Sequence, residues 1–502
     1  MKTAKIVTMF TAGILLLSGC QATPDQSSVA SKADGLDQEA VAEPMKDGGT
    51  IRVSIPDHWK ESEKRNKDRV ILSVDLPLDE ITVGNLPVIE MKNRALTDDE
   101  LERMVRYFAG EEMLYQPHID TKQGYQEVMK RIREKAGAFA EPNLVSYYQS
   151  QLKNLENAAA LAPEENAHIP LEKAVFQKET EDPAKYASAG VEEPERNQYE
   201  IYFHAEVGED RGTRIDARNY SFEAGTTSIF SWTDGDLCLN ESELESLAER
   251  KYERQWMDIF RAYQEAARRT DFEEERGQEQ AEKVLKDLEI GGLELSSVEK
   301  ALWFPKDTFY PQGVADVFLD DQIWQADPKQ AEPGYRYVFT RGQGGLFTDQ
   351  MKGSTIADEV GGSYAPPFPV EKVSVVATAS GVKAFEWDGI CEEVGTAAEN
   401  TRLLPFEEIQ KNIFDYMYYL YLELGQPENS KSVFEYTVSD IRLGYTYVPA
   451  YGNPEHAWLV PAWFIRAEVH ADMTEDLGKA YDWEHRELMV NALDGGLIAW
   501  QM

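Results

Sequence analysis

The chain has 502 residues, 42% of them hydrophobic and 28% charged. That is the composition of a folded protein with room for a few domains at roughly 150 residues each. Ninety acidic side chains against 51 basic ones give a formal charge of −39. Such a field repels nucleic-acid backbones and anionic lipid surfaces. It argues against a nucleic-acid partner, and membrane attachment would need something other than electrostatics.

Lys2 and Lys5 open the chain ahead of an apolar run from Ile6 to Leu17. The run is shorter than the ~20 residues a spanning helix needs, and it reads as the core of a signal peptide over residues 1–19. Leu17-Ser18-Gly19-Cys20 resembles a bacterial lipobox. The resemblance implies that Cys20 is lipidated and becomes the mature N-terminus. Each buried methylene of an acyl chain contributes about 0.8 kcal/mol, and stable anchoring takes more than one chain. The expected location is the extracellular face of the cell membrane.

Residues 20–50 are small and polar and read as a tether, since few side chains there offset the entropy of ordering. The folded body is expected from Ile51, as an N-terminal α+β domain over 51–190. Ile51–Ile55, Val70–Leu76, Ile81–Val83 and Leu86–Met91 are its strand candidates. Thr97 stands three residues before Glu100, the spacing of a capping box, ahead of Leu101, Met104, Val105 and Phe108. A helical pattern over 120–160 is broken by Pro142.

A Pro- and Glu-rich segment, 163–198, leads to a central α+β region with long helices over 191–360. Ile201, Phe203, Ala205 and Val207 alternate with Tyr202, His204 and Glu206, as in a half-buried strand. Asn240 and Glu243 repeat the capping-box spacing. The acidic block Asp271–Glu282 reads as a solvated helix surface or connection, with a cation-binding loop as its sharper alternative. Tyr335–Thr340 is the next strand, followed by the glycine-rich turn Arg341–Gly345.

The third region, 361–502, is predicted as a β-β-α-β-β-β module. Its elements are a hairpin over Val373–Trp387, a helix from Leu404, and strands at Ile441–Tyr447, Ala457–Ile465, Glu487–Ala492 and Leu497–Trp500. One helix cannot cover both faces of a sheet, so the second face must meet solvent, another domain or a partner.

No catalytic pattern emerges. The seven histidines lack a short zinc spacing. Gly361-Gly362-Ser363 has no trailing glycine for a nucleophile elbow. Asp234-Gly235-Asp236 fails as a calcium loop because Cys238 and Leu239 stand where oxygen and glycine are required. No cofactor, metal site or catalytic residue is assigned. Cys238 and Cys391 either pair or remain thiols. The aromatics of the last region, Tyr445, Tyr447, Trp458 and Trp463, are the candidate interaction surface. Trp458 and Trp463 are separated by an odd number of residues, so an unbroken strand sends them to opposite faces, one of them uncovered.

Several stretches together carry a resemblance that spans nearly the whole chain. They are Leu86-Pro87-Val88-Ile89-Glu90-Met91 leading to Leu96-Thr97-Asp98-Asp99-Glu100, Leu403-Leu404-Pro405-Phe406-Glu407-Glu408-Ile409, Ile441-Arg442-Leu443-Gly444-Tyr445, Leu459-Val460-Pro461-Ala462-Trp463 and Asn491-Ala492-Leu493-Asp494-Gly495. With the lipobox, they resemble the DUF6034 family of clostridial, Gram-positive lipoproteins. The C-terminal arrangement is similar to YycH/YycI-type extracytoplasmic regulators and PepSY-like modules, which implies docking, inhibition or regulation outside the cell.

The sequence thus predicts an α+β protein of antiparallel sheets flanked by helices. Its expected role is that of a non-catalytic extracytoplasmic lipoprotein binding a protein or envelope component, with a regulatory role open to it. The competing readings are a carboxylate-based envelope glycan hydrolase and a solute-binding lipoprotein.

Overall fold

The computed structural model describes residues 36, 38–46, 48–117, 121–136, 142–165, 169–178, 199–209, 212–222, 225–241, 243, 254–306, 308, 328–349, 356–357, 363–364, 368–423, 430–450 and 453–500. In chain order its main elements begin with β1 (His58–Arg65), β2 (Val70–Pro77), β3 (Val88–Asn93) and α1 (Asp98–Ala109). Next come α2 (Lys122–Ala136), α3 (Pro142–Leu161), β4 (Tyr199–Val207), β5 (Thr213–Phe222), β6 (Gly225–Asp234) and β7 (Leu237–Asn240). After these follow α4 (Arg254–Arg268), α5 (Glu274–Asp287), β8 (Glu294–Phe304), β9 (Glu332–Thr340), β10 (Lys372–Thr378) and β11 (Gly381–Asp388). The chain closes with β12 (Cys391–Ala398), α6 (Phe406–Glu423), β13 (Val433–Ala450), β14 (Asn453–Met473), β15 (Lys479–Asn491) and β16 (Leu497–Trp500). Helices and predominantly antiparallel sheets make this an α+β protein.

These elements form two compact units that are not consecutive in sequence. One comprises residues up to Asn93, Gly342–Val370 and Cys391–Met502; the other comprises Arg94–Arg341 and Glu371–Ile390. The expected division at 190 and 360 is therefore not the one the chain adopts, because strands distant in sequence complete each sheet.

The first unit is built on an eight-stranded sheet in the order β1-β2-β13-β14-β15-β16, with β3 joining β14 and β12 joining β3. Every pairing is antiparallel except β2 with β13. Helix α6 buries Phe406, Ile409, Ile413 and Met417 in the core of this unit. Trp59 of β1 packs between Phe406 and Phe414, with ring centroids 5.9 and 5.8 Å away. Large apolar side chains of this kind stabilise by roughly 1.5–3 kcal/mol each on burial.

The expected tether does not run free to residue 50. Val41 bridges Thr401, the Ala42 amide donates to the Asn400 carbonyl at 3.1 Å, and the Arg402 amide donates to the Ala40 carbonyl at 2.7 Å. Leu36, Ala40 and Val41 pack with Val88, Ala398, Val448 and Val460. Those few apolar side chains, with paired backbone groups, hold a strap of Leu36 and residues 38–46 against the sheet.

The second unit has an eleven-stranded sheet containing the run β7-β8-β9-β10-β11-β6-β5-β4. Leu101, Met104 and Val105 of α1 and Ala281, Val284 and Leu285 of α5 lie in its core. The predicted cap of α1 is present: Thr97 Oγ1 accepts from the Glu100 amide at 3.2 Å, and Glu100 Oε2 accepts from the Thr97 amide at 3.0 Å. Asn240 and Glu243 make the same reciprocal pair. Pro142 opens α3, as a residue without an amide donor should.

The predicted hairpin forms as β10 and β11, with Val373 opposite Trp387. It pairs with β9 and β6 in the second unit, so the β-β-α-β-β-β module does not form as a single body. Where this hairpin meets β9, a Cβ on Gly334 would run into the backbone carbonyl of Ala377. We expect Gly334→Ala to destabilise the protein by about 1–3 kcal/mol, the usual cost of overpacking. A urea unfolding curve coinciding with that of the parent would contradict this strand contact.

Candidate binding face

The predicted aromatic surface divides in two. Along β14, Ala457, Leu459, Trp463, Ile465 and Ala467 are buried in the core that α6 shares. Trp463 is 2% exposed and its ring lies 5.0 Å from that of Phe406. Tyr445 is fully buried, donates its hydroxyl to the Pro87 carbonyl at 3.1 Å, and is pushed up in pKa by burial. Tyr447 is buried with its hydroxyl 3.7 Å from Cys391 Sγ. These three residues are core, not surface, because their positions share the parity of the helix-covered face.

Trp458 has the other parity and is half-buried. It stands opposite Val448 of β13 and Glu90 of β3, and Glu90 in turn stands opposite Gly395 of β12. His456 lies two residues from Trp458, so it shares this face, and its Nδ1 is 2.7 Å from Glu90 Oε1. Lys92 Nζ approaches Glu455 at 3.9 Å. Among the described residues, a Cβ on Gly395 would have one neighbour within 4 Å, Glu90 Oε2 at 3.9 Å. The result is an indole, an imidazole and a carboxylate in one patch, bordered on its apolar side by the strap. Parity with Trp458 would have found His456 in the sequence; Glu90 and Gly395 become neighbours only through strand pairing.

The remaining candidates are structural. Asp234 is engaged by Lys383 Nζ at 2.8 Å. The Asp476 carboxylate accepts from Ser432 and Ser430, which lowers its pKa to about 2. Cys238 and Cys391 are not joined in a disulfide; burial, reinforced by Glu243 and Asp234, pushes Cys238 up to about 12. Among the described residues no group of three or more His, Cys, Asp or Glu side chains is placed to hold a metal. Cys20, Tyr451, His118 and His168 lie outside the described residues, as do the side chains of Trp483, His485 and Trp500.

No family model matches the chain, and no curated protein does. The resemblance to DUF6034 lipoproteins therefore gains no family match. Among solved structures, an uncharacterised protein from Eubacterium rectale is similar at 11% identity and a TM-score of 0.38, covering 88% of this chain and 93% of that one. The C-terminal domain of Bacillus megaterium YpeB is similar at 11% identity and a TM-score of 0.16, covering 60% of this chain and 88% of that one. At such scores neither carries an assignment.

Trp463→Ala should cost about 3–5 kcal/mol in urea unfolding, as for other large-to-small core changes. Trp458→Ala should cost less, and equal losses would contradict the division of the faces. Farther along β14, His470 is raised above 6.5 by its hydrogen bond to Asp482, against slight desolvation and with help from the Asp482, Glu435 and Asp472 charges. A raised folded pKa means that its stabilising contribution is full below about 6.5 and is lost as pH rises through the folded value. An NMR titration should place the His470 midpoint above that of Asp482→Asn; coincident midpoints would contradict the pairing.

Proposed function

We propose that the protein is a non-catalytic extracytoplasmic lipoprotein, anchored through lipid on Cys20 at the outer face of the cell membrane. It binds a protein or envelope component, in a docking or regulatory role, through the Trp458 face. The observation that carries this reading is the half-buried indole beside the His456–Glu90 pair on the side of the sheet opposite α6. Aromatic side chains with one polar edge are favoured anchors in protein recognition. The anchor itself rests on the order of basic start, apolar run, small residues and cysteine.

Proximity labelling on intact cells carrying the full lipidated chain tests the binding role. A reproducible membrane or envelope partner is expected, lost in a folded Trp458→Ala variant. Labelling without any specific partner would contradict it. Cys20→Ala should move the protein out of the membrane fraction, and unchanged fractionation would contradict the anchor.

A further inference from the structure

The geometry points to β12 as an edge onto which a basic, extended segment of a partner protein adds as a further strand. This deepens the protein-binding reading above and rests on it. Among the described residues β12 pairs with β3 and with no other strand. A strand paired on one side leaves amide and carbonyl groups free along its other edge, a template for strand addition. Glu392, Glu393 and Val394 are exposed there, Val394 by 44%.

The side chains beside this edge select the occupant. Trp458, Glu90 and Gly395 stand in one row across β14, β3 and β12. Adjacent strands are about 4.8 Å apart, so an added strand lies roughly 10 Å from β3. A lysine or arginine stem passing over Gly395, which offers no side chain to block it, can meet the Glu90 carboxylate, which stands between that stem and the indole of Trp458. Within β3, β12 and residues 453–460 the charged groups are Glu90, Glu392, Glu393, Glu455 and Lys92, giving 1 − 4 = −3 with His456 neutral. The whole chain, at −39, adds the same sign. Two copies of β12 meeting edge to edge would set Glu392 and Glu393 against their own kind, which disfavours self-pairing. Two register shifts in β12, between Glu393 and Gly395 and between Thr396 and Ala398, limit how long a straight strand can add.

Site-specific photocrosslinking in cells tests this with the full lipidated chain, placing benzoylphenylalanine at Val394, at Trp458 and, as a control, at exposed Ser62 of β1. One partner is expected from Val394 and Trp458 but not from Ser62, joined through a segment with lysine or arginine at alternate positions. A partner captured from Trp458 and not from Val394 would overturn strand addition while leaving the binding reading intact. Capture from neither would remove both.

In a second arm, the full chain purified in detergent is offered decapeptides of alternating threonine and lysine, or threonine and glutamate. The lysine peptide should bind and slow amide exchange across 391–398. Glu90→Gln and Gly395→Leu should each weaken it roughly tenfold. Binding insensitive to both substitutions, or without slowed exchange, would mean diffuse attraction and overturn the proposal.

Discussion

The antiparallel pairing of β13 with β14 is the constraint on which the first unit depends. These strands are 18 and 21 residues long, and their pairing runs from Val433 opposite Asp472 to Ala450 opposite Asn453. Because side chains alternate along a strand, the pairing decides which aromatics meet α6 and which lie behind the sheet. Tyr445, Tyr447 and Trp463 are spent on the core. Trp458 is left on the other face, where β3 supplies Glu90 beside it. A one-residue slip would reverse these assignments, burying Glu90's neighbours and exposing the core.

The second unit answers a different problem, that of holding chain segments that come and go. Arg94 and Ile390, where segments begin and end, are joined by a backbone hydrogen bond of 3.2 Å. Arg341 and Glu371, the other two ends, form an ion pair of 2.6 Å with side chains 12% and 2% exposed. Trp387 donates its indole N–H to Glu371 and lies under the Arg94 guanidinium. A buried pair of this kind adds little over apolar packing, but losing one partner is costly because the other charge is stranded. Here it fixes where the chain leaves and re-enters the sheet.

What was legible in the sequence was local. The capping boxes at Thr97 and Asn240, the break at Pro142 and the hairpin of β10 and β11 all depend on residues a few positions apart. The opposite destinations of Trp458 and Trp463 followed from parity alone. Strand β1 leaves little trace in the sequence because His58–Arg65 turns only Trp59 fully inward, leaving a charged stretch with little apolar alternation. Strand β12 is equally faint in the sequence, since Glu392 through Ala397 contains little buried surface. The end of the tether is not legible locally, because Ala40 and Val41 gain their apolar partners only when Val88, Val448 and Val460 are brought beneath them. The candidate site shares this character: Glu90 is hundreds of residues from Gly395 and Trp458 and meets them only through sheet register.

Hydroxyl-radical footprinting with mass spectrometry of the free, full-length protein tests the central claim, the two unlike faces of this sheet, most directly. Trp458 and Val394 should be modified readily while Trp463, Tyr445 and Tyr447 resist until the protein unfolds. Modification of Trp463 as fast as that of Trp458 in the folded protein would contradict the account.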